Sequence, residues 1–90
     1  MSRKPTRALT MHRTVIRPVD RKAFFERLRS KQRHYEAAGC RYWVFEEEAL
    51  PGAFVEFCEA DDSKTLSSAH ASAPNPILDP SRIYTIVELS

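Results

Sequence analysis

Apolar residues change their spacing several times along the chain. Thr14-Val15-Ile16-Arg17 is a short β-branched run closed by Pro18, and it predicts a first strand over residues 12–18. From Asp20 the spacing becomes helical. Phe24, Leu28 and Tyr35 fall on one side, flanked by Phe25, Gln32 and Ala38, while Lys22, Arg29 and Arg33 lie opposite with Glu26 and Glu36 among them. Asp20 stands where an N-cap belongs, and Val19 and Phe24 where a hydrophobic staple would close the first turn. Gly39 stands where a C′ glycine ends a helix. The prediction is one amphipathic helix over residues 21–38, in which Lys31 interrupts the stripe and is expected to snorkel to water.

Alternation by two returns in residues 41–47 and 53–59, with Leu50-Pro51-Gly52 between them, which reads as a hairpin. The register that brings the aromatic rows together sets Trp43 against Phe57 and Phe45 against Val55 on one face. On the other it sets Tyr42 against Cys58, Val44 against Glu56 and Glu46 against Phe54. Asp61-Asp62-Ser63 then opens a second helix, with Leu66, Ala69 or His70, and Ala73 facing inward, stopped by Pro74. Residues 74–82 carry three prolines and read as a loop anchored by Ile77 and Leu78; residues 83–89 close the chain as a strand.

The order strand, helix, strand, strand, helix, strand has one compact solution under the crossover rule. It is an α+β, ferredoxin-like βαββαβ fold: a four-stranded antiparallel sheet in the order 4-1-3-2 with both helices on one face. Residues 12–90 form this single domain, and residues 1–11 are expected as a basic flexible tail. The expected core is Ile16, Phe24, Leu28, Trp43, Phe45, Val55, Phe57, Leu66 and Val87. The uncovered face would then carry Tyr42, Val44, Phe54, Glu56, Cys58, Tyr84 and Ile86, with Arg17 and Glu88. Large apolar groups beside charges do not make a solvated face. A patch of this kind marks an interaction surface, and a second copy packed face to face would bury it.

Composition narrows the field. Ninety residues of 10.4 kDa hold one modest core, for which oligomerisation is a common remedy. The chain is 42% hydrophobic and 29% charged, a globular profile without an apolar run long enough to span a membrane. The net charge of +2 conceals a split. Residues 1–41 hold twelve Lys or Arg against three acids, +9, and residues 42–90 hold two against nine, −7. The halves are expected to neutralise each other within the fold or between copies. The basic N-terminus has no apolar core, so no secretory signal is read and a reducing cytoplasm is the expected compartment. Cys40 and Cys58 are expected there as buried thiols.

The hairpin around Trp43 and Phe45, the run Gly52-Ala53-Phe54-Val55-Glu56-Phe57 into Ala60-Asp61-Asp62, and Leu66-Ser67-Ser68-Ala69-His70-Ala71-Ser72 together resemble the dimeric α/β-barrel superfamily. The likeness is to small antibiotic-biosynthesis-monooxygenase-like and stress-responsive barrel domains, and it spans about residues 12–89. It implies a homodimer whose two sheets form a barrel with a pocket in each half. Some members oxidise aromatic polyketides without a cofactor, some degrade haem, and many have no assigned activity. The Pro-rich segment departs from the pattern, standing where a longer second helix would run.

The pocket so implied would take a small, partly aromatic molecule. His70 is the candidate catalytic base. Arg17, Tyr42, Phe54, Glu56, Tyr84 and Glu88 are the candidate ligand contacts, with Arg17 and Glu56 able to pair across strands. No cofactor is expected, and no pair of histidines has metal spacing. No serine or cysteine has the partners of a nucleophile. Two further readings share the topology. One is a non-catalytic dimerisation or regulatory module. The other is an RNA-recognition motif, whose aromatic-aliphatic-any-aromatic signature Phe54-Val55-Glu56-Phe57 satisfies. Against RNA, strand one has no stacking aromatic, Leu50-Pro51-Gly52 replaces the basic part of that signature, and Glu46-Glu47-Glu48 and Glu56 would repel phosphate.

Overall fold

A computed structural model describes residues 7–73 and 82–89. Its elements are β1 (Ala8–Val15), a 3-10 turn (Pro18–Asp20), α1 (Arg21–Ala37), β2 (Arg41–Glu46), β3 (Ala53–Ala60), α2 (Ser63–Ala71) and β4 (Tyr84–Thr85). The sheet is four-stranded and antiparallel in the order β2-β3-β1-β4. This is the ferredoxin-like arrangement expected from the pattern. The β2–β3 register is also the expected one, with Trp43 opposite Phe57 and Tyr42 opposite Cys58. Gly39, at φ +85°, ends α1 in the left-handed region that glycine enters without strain.

Two strand boundaries and one helix cap differ from the sequence reading. β1 runs Ala8–Val15 rather than over 12–18, because its ladder to β3 extends from Ala8↔Ala60 to Val15↔Ala53. Residues 8–11, which the pattern assigns to the tail, therefore belong to the sheet. β4 covers only Tyr84 and Thr85 rather than residues 83–89. Asp20 stands at the N-cap of α1 but makes no capping bond; its carboxylate takes Arg17 Nε at 2.9 Å, and Val19 is exposed rather than stapled to Phe24. Ile77 and Leu78, the expected anchors of the loop, lie outside the described residues.

The larger correction concerns the two sides of the sheet. The helices cover Ala8, Thr10, Tyr42, Phe54, Glu56, Cys58 and Ala60, all buried. Trp43, Phe45, Val55 and Phe57, expected in the core, lie on the open side with Met11 and Val15; Val87 is also exposed. The reason is Lys31. It occupies the apolar stripe of α1 with Phe24, Leu28 and Tyr35, so its ammonium points at the sheet instead of snorkelling. An unpaired buried cation is costly, and Glu56 supplies the counter-charge only if the side of β3 that carries it turns inward. The small side chains Ala8, Thr10, Cys58 and Ala60 on that side also let α2 approach closely. The core then forms two clusters. One gathers Ala8, Tyr35, Cys40, Tyr42, Cys58, Ala60, Leu66 and Ala69; the other gathers Phe24, Leu28 and Phe54, with Ile16 packed against it.

Candidate functional site

The site grows from how α2 begins. Asp62 caps it, its carboxylate accepting the Thr65 N–H at 2.7 Å. Leu66, Ala69 and His70, at i, i+3 and i+4, then share the face that meets the sheet, and all three are buried. His70 Nε2 lies 2.7 Å from Thr10 Oγ1 on β1, and Nδ1 lies 2.9 Å from Tyr35 Oη on α1. Both hydroxyls can donate or accept, so either neutral tautomer is satisfied. Burial first, and then the cationic Lys31 and neighbouring His34, hold the His70 pKa below its ordinary value. The ring is therefore a neutral imidazole at physiological pH. His34 tethers α1 to α2, with Nε2 2.8 Å from the Ala69 carbonyl oxygen.

A second chain of polar groups lies beside the first. Glu56 Oε1 accepts from Tyr42 Oη at 2.6 Å and from Lys31 Nζ at 3.0 Å. The Tyr35 and Tyr42 rings stack at 5.4 Å, 20° from parallel, and join the two chains through their faces. Burial, followed by the Glu56 hydrogen bond, pushes the Tyr42 hydroxyl far above its usual range. Burial likewise raises Tyr35. Both phenols therefore stay protonated, and Tyr42 donates to Glu56. Thr10, Tyr35, Tyr42, Glu56, Cys58 and His70 surround a cavity of about 10 Å³, close to the room one water needs. Among the described residues, every buried side-chain nitrogen and oxygen has a hydrogen-bond partner.

Of the residues proposed from sequence, His70, Tyr42 and Glu56 meet at this cavity. Phe54 belongs to the adjoining aromatic cluster, its ring 5.0 Å from that of Phe24. Arg17 is exposed and pairs with Asp20 rather than Glu56, because it lies beyond the end of β1. Tyr84 sits opposite Leu9 at the β4 edge, and Glu88 is exposed near the C-terminus; neither reaches the cavity lining. Sequence reasoning missed Thr10, Tyr35 and Lys31 as site residues. For Lys31 and Tyr35 the signal was present: a cation and a phenol inside an otherwise apolar helical stripe call for polar partners across the interface. Thr10 was hidden by the tail assignment.

Cys40 and Cys58 are free, buried thiols in the same cluster, and burial raises the pKa of each. Among the described residues no group of three His, Cys, Asp or Glu side chains could hold a metal ion, and no helix is long and apolar enough to cross a membrane.

No protein-family profile and no curated protein matches the sequence. The fold does have a match among solved structures. The chain is similar to the structure of Rv0793 from Mycobacterium tuberculosis, with a TM-score of 0.62 and 19% identity over 94% of this chain and 97% of that one. At that identity the likeness establishes a shared α+β ferredoxin-like fold.

Proposed function

We propose that the protein is a homodimer, packed through the open faces of its sheets, that binds a small, partly aromatic molecule between the helices and the sheet beside His70. The observation that carries the binding reading is His70 itself. It is a neutral imidazole held at both nitrogens and stands over a cavity shared with the Tyr35–Tyr42 stack and the Glu56 carboxylate. Stacked phenols suit a planar ligand, and the hydroxyls and carboxylate suit its polar edge. A neutral histidine is also the group that would accept a proton from an acidic phenol, and cofactor-independent oxygenation of such a ligand is the activity this reading makes testable. Because the cavity holds about one water, binding requires α2 to part from the sheet.

The homodimer rests on the open face. Met11, Val15, Trp43 and Phe45 are exposed, with the Trp43 and Phe57 rings stacked at 6.4 Å and Phe45 edge-on to Phe57 at 5.6 Å. The arginines around that face are already neutralised: Arg13 by Glu47, Arg41 by Glu59 and Asp61, and Arg7 by Glu59. This favours an apolar partner over a phosphate backbone.

Native mass spectrometry of freshly purified protein tests both parts. The expected species is a dimer of 10.4 kDa chains carrying extra non-covalent mass, lost in His70→Gln. A dimer without added mass, and without affinity for hydroxylated aromatic acids by calorimetry, leaves the non-catalytic dimerisation module. That second reading is favoured by the complete hydrogen bonding of the buried polar groups.

A further inference from the structure

α2 is held to the sheet unevenly along its length. Over Ser63–Ala71 the one large apolar side chain is Leu66, and it is fully buried. Asp62 fixes the same end by capping it. Beyond Leu66 the helix meets the sheet with Ala69 and His70 alone, so little apolar area holds that end, and polar bonds hold it instead. Two consecutive residues of α1 grip two consecutive residues of α2. Tyr35 Oη lies 2.9 Å from His70 Nδ1, and His34 Nε2 lies 2.8 Å from the Ala69 carbonyl oxygen. A carbonyl oxygen only accepts, so His34 carries a proton on Nε2 and donates it. The Ala69 carbonyl is one of the orphans of a helix end. The Ala73 N–H, which would take it in a longer helix, bonds the His70 carbonyl at 3.2 Å. His34 thus closes the end of α2 from another helix.

The two ends respond differently to a molecule entering beside His70. The bonds of His70 to Thr10 and Tyr35 can be exchanged for bonds to an incoming hydroxyl, with little net change. Leu66 lifted out of the core finds no such replacement. His34 stands outside the cavity lining, so its bond to Ala69 breaks on opening and the incoming molecule does not restore it.

We propose that α2 is a lid that pivots about its Asp62–Leu66 end, and that His34 is the latch that sets how often the far end lifts from the His70 cavity. What the opening admits rests on the ligand site proposed above; the motion itself belongs to the free protein. His34 reaches the site only through Ala69, and so is a positioning residue.

Amide hydrogen exchange of the free protein, resolved by residue, is the test. A nine-residue helix is not stable away from its packing, so α2 amides exchange when the lid lifts. His34→Ala is expected to speed exchange at residues 69–71 about fivefold or more, the worth of one net hydrogen bond, while the Leu66 and Ser67 amides and those of β3 keep the parent rate. His34→Gln keeps a side-chain N–H donor and is expected to return residues 69–71 to within about twofold of the parent. Phe24→Leu, in the other core cluster, lowers stability without touching α2 and is expected to leave the ratio between the two ends of α2 unchanged. If His34→Ala also loses global stability, that ratio, read against Phe24→Leu, still decides. Equal acceleration along the whole of α2 would overturn the pivot. Unchanged exchange at residues 69–71 in His34→Ala, or no recovery in His34→Gln, would overturn the latch. No ligand is needed, so a protein that carries no bound molecule and shows the expected pattern supports the latch and removes only the ligand reading.

Discussion

Lys31→Met is the sharpest test of how this fold chooses its inner side. Lys31 and Glu56 side chains are 9% and 5% exposed, and the ammonium stands 3.0 Å from Glu56 Oε1. Methionine fills the space of the lysine stem but leaves the carboxylate with Tyr42 as its one remaining partner among the described contacts. Breaking a buried pair on one side costs about 3–5 kcal/mol, because the surviving charge loses its compensation. A 90-residue domain has only about 5–13 kcal/mol to lose, so the variant is expected to be marginal. With a urea m-value of about 1.5 kcal/mol/M, the midpoint moves down by about 2–3 M. Lys31→Met combined with Glu56→Gln removes both charges while keeping an acceptor for the Tyr42 hydroxyl. That double variant is expected to return to within about 1 kcal/mol of the parent. Urea unfolding followed by circular dichroism, at one protein concentration throughout, reads all three. A Lys31→Met midpoint within about 0.5 M of the parent, or a double variant no better than the single, would show that the pair does not decide the packing.

Other consequences are as concrete. His70 has a lowered folded pKa, so the unfolded chain takes up the proton first as pH falls below about 6.5; stability is full above that point and declines on acidification, by at most about 1.4 kcal/mol per pH unit. His70→Gln is expected to flatten that slope in urea titrations between pH 5 and 7. The hydrogen bond and charge of Arg21, with the Gly52 N–H, hold the Glu46 pKa near about 2, so its contribution is present above about 4.5 and disappears separately as pH falls toward 2. Gly52→Ala should destabilise well beyond Gly39→Ala. Both have positive φ, costing about 1–2 kcal/mol for alanine, but a Cβ at Gly52 would lie 2.8 Å from the Ile16 carbonyl oxygen while one at Gly39 meets nothing within 4 Å. Thermal melts of the two variants measure the difference. Cys40 and Cys58 should react with a thiol reagent at the rate of unfolding, since both are buried with raised pKa values; rapid labelling of the native protein would contradict their burial.

The order of elements, the hairpin register and the extent of both helices were legible because each rests on a local signal: the 3.6 period around Phe24 and Leu28, the aromatic pairs across Leu50-Pro51-Gly52, Gly39, and Asp62 before Ser63. The sidedness of the sheet was not. Hydropathy makes the Trp43, Phe45, Val55 and Phe57 row the greasier one, and a rule that buries the greasier row turns it inward. What decides instead is a pairwise interaction between Lys31 and Glu56, residues far apart in sequence, which no window of neighbouring positions contains. The candidate site was half legible for the same reason. His70 stood out on its helix, whereas Thr10 and Tyr35 become its partners only through the tertiary fold.

The position of β1 has a consequence for how the molecule is made. β1, which is made before its neighbours, lies inside the sheet, flanked by β3 and β4, with Ala8 set against both Ala60 and Thr85. Until β3 emerges, that strand has neither neighbour, and β4 arrives only with Tyr84 and Thr85. α1 and the β2–β3 hairpin can form locally and early, but closure of the sheet waits for residues 84 and 85. A nascent chain truncated before residue 84 would therefore carry an interior strand with an uncovered flank, a form that chaperones are suited to hold.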